Sequence, residues 1–202
     1  MKKTLKYVGI GVAALVLVFV GVGSTLDGMW RVEKSVLVNA PPEHVHPLVD
    51  DLRAWQLWAA WNNAMDPEVK NTYSEPAAGV GAWWSWSGPK MGRGRMTIVR
   101  SEVGKGVWVD ESIETDEVNA HGSLEWSREG EATKVVWRDE GKLPPIFGGY
   151  FKGFIEGMLG EHFQTGLDGL KREAEKRHAE AQEKPAEPAA EPAQADAAPA
   201  EQ

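Results

Sequence analysis

Cysteine is absent from the 202-residue sequence. Its absence excludes disulfides, thiolate metal sites, a cysteine nucleophile and a lipid anchor on cysteine. Basic residues are also in deficit, since 22 Lys and Arg face 30 Asp and Glu for a net charge of -8. That balance disfavours a polyanionic partner, so we expect no nucleic-acid ligand. The sequence also lacks the G-x-S-x-G, H-E-x-x-H and P-loop motifs of common enzyme classes.

One short segment invites a metal interpretation. His44 and His46 flank Val45 and follow Glu43. On a helix, residues two apart diverge by roughly 200°, so the two imidazoles do not converge on one ion. We therefore expect no metal site here, and nothing in the sequence indicates a cofactor.

Tryptophan, by contrast, is abundant, with ten residues against three tyrosines and five phenylalanines. A tryptophan is large and amphipathic, and its burial is favourable only where a wide apolar surface is available. The ten indoles therefore predict either an unusually aromatic core or an apolar binding cavity.

Residues 1–27 form an N-terminal segment in which Lys2, Lys3 and Lys6 precede a long apolar run. As a helix the run reaches roughly 25 Å, enough to cross a thin hydrocarbon core. We interpret it as a transmembrane helix whose lysines stay cytoplasmic, which places the remainder on the extracytoplasmic, periplasmic side. The alternative is a signal peptide cleaved near Gly21, Gly23 and Ser24, which would release a secreted protein.

The C-terminal segment, residues 177–202, is dominated by Ala, Pro, Glu and Gln and has no aromatic or branched aliphatic residue. Such a composition cannot form a packed core, and it predicts a disordered, partly extended tail.

Residues 28–176 are predicted to form the folded domain. A strand over 30–39 is followed by a helix that begins near Pro41 and Pro42, and by a second short helix carrying Trp55, Trp58 and Trp61 on one face. The pattern then has period two, separated by Gly-containing turns, over 82–87, 95–100, 107–113, 119–127 and 133–139. Strands joined by such short turns form an antiparallel meander.

A long helix is predicted over 145–176, where Phe147, Tyr150, Phe151, Phe154 and Met158 recur at helical spacing. An antiparallel sheet buries one face, and this helix is the only sizeable element available to cover it. The fold class is therefore α+β: a curved antiparallel sheet of six or seven strands around a C-terminal helix, with two short helices after the first strand.

This order of elements resembles the helix-grip fold of the START-like, or SRPBCC, superfamily, which includes polyketide-cyclase-related proteins. Several motifs over about 30–175 carry the resemblance: Trp55-x-x-Trp58-x-x-Trp61 before Asp66-Pro67, Gly79-x-Gly81 before Trp84 and Trp86, Ser87-Gly88 before Gly92-x-Gly94-x-Met96-x-Ile98, Thr133-Lys134-Val135-Val136-Trp137, and Gly166-Leu167-Asp168-Gly169-Leu170-Lys171. Ala60 is a departure, since family members often have proline before the third tryptophan.

The resemblance implies an apolar cavity between sheet and helix that holds a lipid or another hydrophobic small molecule. The predicted cavity residues are Trp84, Trp86, Arg95, Trp108, Glu111, Trp126, Trp137, Tyr150, Phe151, Phe154 and Met158. Glycines 149, 153, 157 and 160 on the helix would either leave cavity volume or permit close packing on the sheet.

Three functions stay open at this point. The first is membrane-tethered binding of a hydrophobic molecule, which needs no catalytic group. The second is a cyclase- or hydrolase-like enzyme with an acid or base in the same cavity, for which Glu111, His121 and Asp139 are candidates. The third is a non-enzymatic interaction protein of the cell envelope. The sequence leaves the ligand and the oligomeric state open.

Overall fold

The computed structural model describes residues 2–114 and 118–183. The elements in chain order are α1 Lys2–Thr25, β1 Met29–Val38, α2 Pro42–Asp50, α3 Trp55–Trp58, β2 Lys70–Tyr73, β3 Trp83–Gly88, β4 Gly92–Glu102, β5 Gly106–Ile113, β6 Val118–Glu129, β7 Ala132–Lys142 and α4 Gly148–Glu183.

The strands form one seven-stranded antiparallel sheet in the order β1-β7-β6-β5-β4-β3-β2. Consecutive strands from β2 to β7 are neighbours, as a meander requires, and β1 closes the far side by pairing along β7. The sheet curves around α4. The predicted α+β helix-grip fold, with its two short helices after β1, is therefore confirmed.

The strand β2 is the one strand that the hydrophobic pattern did not locate. Its sequence, Lys70-Asn71-Thr72-Tyr73, is polar and lies at the sheet edge, where a half-exposed strand needs little apolar alternation. Asn71 ties it to β3 by accepting a hydrogen bond from the Trp84 indole at 2.9 Å.

The short helix α3 spans only four residues, and Trp61 lies beyond its end. Ala59, in an extended conformation, closes the last turn with a backbone bond to Trp55. The predicted helical face of three tryptophans is therefore incorrect for Trp61. All three indoles nevertheless pack around Trp137, with centroid distances of 5.7, 5.6 and 6.4 Å.

Helix α4 continues to Glu183, seven residues past the predicted boundary at 176. Its last turns consist mainly of Glu, Lys, Arg and Ala, which favour helix, and Lys171–Glu175 and Arg177–Glu173 form ion pairs one turn apart at 3.1 and 3.4 Å. The rest of the predicted tail lies outside the described residues.

Helix α1 contains one segment, Thr4–Thr25, that is long and apolar enough to cross a membrane, with mean hydropathy 2.3. It is exposed along its length except near its C-terminal end, where Gly23 lies against Ile146 and Tyr150. A β-carbon on Gly23 would come within 2.4 Å of the Ile146 carbonyl oxygen, so the close approach requires glycine. The apolar helix is thus docked onto the start of α4.

Candidate functional site

A cavity of about 270 Å³ lies between the concave face of the sheet and α4. Strands β3 to β7 supply its floor, and the α4 residues Met158, Leu159, His162 and Phe163 supply its roof. Its volume is close to the lower end of ligand pockets, about 300 Å³.

The cavity wall is mainly aromatic, and six of the ten tryptophans line it: Trp30, Trp55, Trp61, Trp84, Trp86 and Trp137. The Trp137 ring stacks on Phe163 at 4.1 Å, and Trp84 and Trp86 lie 4.8 Å apart. Such rings offer a wide apolar surface with little conformational freedom to lose when a ligand binds.

Two glycines leave room for tryptophan rings on the cavity floor. Gly94 pairs with Trp86 across β3 and β4, and a β-carbon on it would lie 2.3 Å from the indole. Gly141 has the same relation to Trp30, at 2.2 Å. Both indoles therefore lie flat over a glycine of the adjacent strand, and any side chain there would push them into the cavity.

Two carboxyl groups interrupt the apolar lining. Glu111 and Asp139 both face the cavity, and the Trp30 indole donates a hydrogen bond of 2.8 Å to Asp139. Burial, and then the charge of Asp139, raise the pKa of Glu111 to about 8. Burial also raises the pKa of Asp139, to about 6, against the opposing effect of the Trp30 hydrogen bond. Burial thus favours the protonated form of both carboxyl groups, more strongly for Glu111.

The cavity reaches the end of the sheet at which β1 begins after α1. Lys90 and Met91 of the β3–β4 turn, Ile113 at the end of β5 and Met158 of α4 line it on this side. Buried Asp66 fixes the turn by accepting the backbone N–H groups of Lys90 and Met91 at 2.9 and 3.0 Å.

Of the eleven cavity residues predicted from the sequence, five line this space: Trp84, Trp86, Glu111, Trp137 and Met158. Four project from the sheet onto its concave face, and Met158 is their neighbour on the helix. The structure thus brings together residues that are up to 74 positions apart, from Trp84 to Met158.

Arg95, Trp108 and Trp126 lie elsewhere. On β4 and β5 the buried neighbours Met96, Val107 and Val109 point inward, so alternation turns Arg95 and Trp108 to the outer face. There Arg95 packs over Trp83 at 4.1 Å, and Arg100 packs over Trp108 at 4.2 Å.

Trp126 points inward but lies at the opposite end of the sheet from the cavity. Its indole donates to the Val103 carbonyl at 2.9 Å, and its ring meets His46 edge-on. Trp126 therefore fills the core near the β4–β5 turn.

Tyr150, Phe151 and Phe154 lie on the exposed first turns of α4, outside the cavity lining. Their helical spacing was predicted correctly, but their side chains are exposed and do not line the cavity. Tyr150 stacks on Phe19 of α1 instead, at a centroid distance of 4.6 Å.

Trp30, Trp55 and Trp61 line the cavity but were not among the predicted residues. Strand parity could have found Trp30, since it shares the inward face with buried Val32. Trp55 and Trp61 reach the site through the loop after α2, whose path no short-range pattern reveals.

Alternation along the strands places the polar candidate residues on opposite faces of the sheet. Asp139 points inward, and its neighbours Arg138 and Glu140 point outward, as alternation along a strand requires. On the outer face Arg138 bonds to Glu33 at 2.7 Å and His121 bonds to Asp110 at 2.7 Å. Of the three enzyme candidates, Glu111 and Asp139 thus share the cavity and His121 lies outside it.

The helix glycines differ in what surrounds them. A β-carbon at Gly149 would lie 2.2 Å from Leu26, so that glycine permits close packing. At Gly153 and Gly157 a β-carbon would meet no described atom within 4 Å. In the part of the chain that the structure describes, none of the four predicted glycines lines the cavity. Their proposed contribution to cavity volume is not what the geometry shows.

His44 and His46 diverge as expected for positions i and i+2. The His46 imidazole contacts Ser101 at 3.1 Å, and the His44 ring lies 4.9 Å from that of His178. Over residues 2–114 and 118–183, no three His, Asp or Glu side chains gather closely enough to hold a metal ion.

The geometry defines a class of protein: a helix-grip domain with an internal aromatic cavity. The sequence profile of the polyketide cyclase/dehydrase and lipid transport family matches residues 29–175. The chain belongs to this family, and the superfamily indicated by its motifs is thereby confirmed. No curated protein matches the chain in sequence.

Solved structures share the fold at low sequence identity. A protein of unknown function, SA2116 from Staphylococcus aureus, is 11% identical with a TM-score of 0.58, over 74% of this chain and 95% of that one. TTHA0849 from Thermus thermophilus is 19% identical with a TM-score of 0.53, over 73% and 98%.

A further structural relative is the di-domain ARO/CYC protein StfQ of the steffimycin biosynthetic pathway. It is 12% identical to this chain with a TM-score of 0.57, over 75% of this chain and 52% of StfQ. The chain thus spans about half of StfQ. At these identities the three likenesses establish the fold alone.

Proposed function

We propose that the protein binds one acyl chain or a similarly small hydrophobic molecule in the cavity between sheet and α4, beside the membrane that holds α1. The observation that carries the proposal is the cavity itself, with six tryptophans around about 270 Å³. Burial of apolar ligand surface there contributes about 25 cal/mol per Å² and needs no reaction. The family's association with lipid transport supports the same class of ligand.

The proposal includes a membrane tether. Lys2, Lys3 and Lys6 at the start of α1 favour a cytoplasmic N-terminus, which puts the domain on the extracytoplasmic side. The contact between α1 and the domain supports an uncleaved anchor. The Tyr150 hydroxyl donates a 2.8 Å hydrogen bond to the Phe19 carbonyl, and cleavage near Ser24 would remove that partner and bare the aromatic surface of α4.

The tryptophans themselves provide a test. The full chain in mild detergent is titrated with a brominated fatty acid, whose bromine quenches nearby indoles; α1 contains no tryptophan, so quenching reports on the domain. We expect saturable quenching that the unbrominated fatty acid reverses by competition. Non-saturable quenching, the same as for free tryptophan in the detergent, would refute the binding proposal.

A matched pair of variants localises the ligand. Ala120 is buried and lines the cavity, so Ala120→Leu fills it; Ala132→Leu, at the distant start of β7, does not. We expect the first variant to lose most of the saturable quenching and the second to keep it. Equal quenching in both variants would place the ligand outside the cavity.

A second function, acid–base catalysis on the bound molecule, is favoured by the pair Glu111 and Asp139. Burial raises the pKa of both groups toward neutral pH, where a carboxyl can act as acid or base, and they share one water-poor space. Among the described residues the Glu111 carboxyl has no hydrogen-bond partner, which leaves it available to a ligand. Mass spectrometry of molecules extracted from wild type, Glu111→Gln and Asp139→Asn tests this. A product found in wild type alone indicates an enzyme, and identical extracts indicate a carrier.

A further inference from the structure

The first turns of α4 carry an apolar stripe that, among the described residues, only α1 covers in part. Tyr150, Phe151, Phe154 and Met158 of α4, with Phe147 just before its first residue, fall within about 100° of the helix circumference, given 3.6 residues per turn. Phe151 is 56% exposed and Phe154 is 69% exposed. Large apolar side chains gathered in this way mark an interaction surface.

The depth of this stripe in the membrane follows from its contact with α1. The Tyr150 ring and hydroxyl both contact Phe19, and Phe147 lies 5.8 Å from the same ring. Phe19 precedes the end of α1 at Thr25 by six residues, or about 9 Å along the helix axis. If α1 spans the bilayer up to Thr25, then Tyr150 and Phe147 lie at the depth of acyl chains.

The stripe also leads to the cavity. Met158, its last member, lines the cavity together with Met91 and Ile113, which lie at the end of the sheet where β1 begins after α1. From Tyr150 to Met158 the helix rises about 12 Å. One apolar track therefore connects the surface of α1 with the cavity mouth.

We propose that the first three turns of α4 insert into the outer interfacial layer of the bilayer, so that the cavity opens into lipid rather than into water. A helix with exposed phenylalanines and one apolar side is typical of such interfacial insertion. The occupant of the stripe is the lipid surface, because the stripe is continuous with a helix that itself requires lipid. This inference rests on the proposed tether.

Because the chain has no cysteine, each introduced cysteine is the single site at which a thiol-reactive label can attach. Nitroxide labels are placed at Phe154→Cys in the stripe, Val16→Cys within α1 and Val103→Cys in the distant β4–β5 turn, all at exposed positions. The full chain is reconstituted into phosphatidylcholine vesicles with a minority of phosphatidylglycerol. Spectral broadening by oxygen reports lipid contact, and broadening by a water-soluble nickel chelate reports water contact.

We expect the labels at 16 and 154 to respond to oxygen and the label at 103 to respond to nickel. A label at 154 that responds to nickel like the one at 103, while the label at 16 remains in lipid, overturns the inference and leaves the tether intact. A label at 16 in water overturns the tether itself. A label at 154 shielded from both reagents identifies a protein partner or a second copy, and likewise overturns the inference.

A kinetic arm tests the consequence for uptake. Phe151→Ser combined with Phe154→Ser should slow transfer of the brominated fatty acid from vesicles to the cavity several-fold, with the final quenching unchanged, because neither side chain lines the cavity. The control is Val99→Ser, which removes an exposed apolar residue from β4. Equal transfer rates in the two proteins contradict direct uptake from the bilayer.

Discussion

The two halves of α4 are built for different surroundings. From Gly160 onward the helix buries Phe163, Leu167, Leu170 and Ala174 against the sheet and α3, and Gly169 allows it to approach the Trp58 backbone. From Gly148 to Met158 it leaves phenylalanines exposed and borders the cavity. The second half is a conventional amphipathic helix, whereas the first half has its apolar stripe turned away from the protein.

The difference shows that apolar periodicity marks which side of a helix avoids water, and not what covers that side. In the second half the cover is the sheet. In the first half the apolar surface has only α1 beside it among the residues that the structure describes, which is why we infer lipid as the remaining cover.

The largest expected effect is the difference in unfolding free energy between a substitution in the second half of α4 and one in the first half. Leu167 is 0% exposed, so Leu167→Ala should lower the free energy of unfolding by about 2–5 kcal/mol through lost burial and a cavity. Phe154→Ala in the first half should change it by no more than about 0.5 kcal/mol in detergent. Urea unfolding of the full chain, followed by tryptophan fluorescence, measures both. Equal losses would show that the stripe packs on protein.

Two glycine substitutions should change the stability of the protein in opposite directions. A β-carbon at Gly169 would lie 2.3 Å from the Trp58 carbonyl oxygen, so Gly169→Ala should destabilise by about 1–3 kcal/mol. Gly157 has open space around its α-carbon, so Gly157→Ala should stabilise the helix by about 0.5–1 kcal/mol. Thermal unfolding of the two variants in the same detergent gives both signs. A destabilised Gly157→Ala would mean that the first half packs closely on something else.

The last prediction concerns the pH dependence set by the carboxyl pair in the cavity. The folded state raises the pKa of Glu111 from 4.5 to about 8, so it retains a proton that the unfolded chain releases. Stability contributed in this way is present at low pH and lost as pH rises through that window. Glu111→Gln cannot ionise, so between pH 4 and 8 it should lose less stability than wild type, by up to roughly 5 kcal/mol for a pKa raised from 4.5 to about 8.

The pH profile of the variant provides the check. Asp139, with its pKa raised from 3.8 to about 6, should leave a residual decline that ends near pH 6 in Glu111→Gln. Unfolding free energies of wild type should continue to decline until about pH 8, where the Glu111 carboxyl ionises in the folded state. Parallel profiles over the whole range would mean that the Glu111 side chain is hydrated.

Much of the fold was predictable because its signals are local. Alternation over β3 to β7 and the Gly-containing turns between them predicted a meander. Strand β2 was not predicted because Lys70-Asn71-Thr72-Tyr73 shows no apolar alternation. Strand parity also distinguishes Asp139 from Glu140. What the pattern could not provide was the position of α4 along the sheet, which decides that Met158 meets the cavity and Phe154 does not.

The site was therefore only partly predictable. Glu111, Trp84, Trp86 and Trp137 could be proposed from their strands, but Arg95 and Trp108 needed the register to show that they face outward. The cavity residues Trp55 and Trp61 depend on a loop whose course is set by tertiary packing around Trp137.

Only three residues, 26–28, separate the end of α1 from the start of β1. Fully extended, such a connection spans roughly 14 Å between its flanking residues. With so short a connection, a domain anchored through α1 cannot carry cargo across an aqueous gap to another membrane. Whatever it releases must return to the leaflet beside it or pass to an acceptor that comes into direct contact.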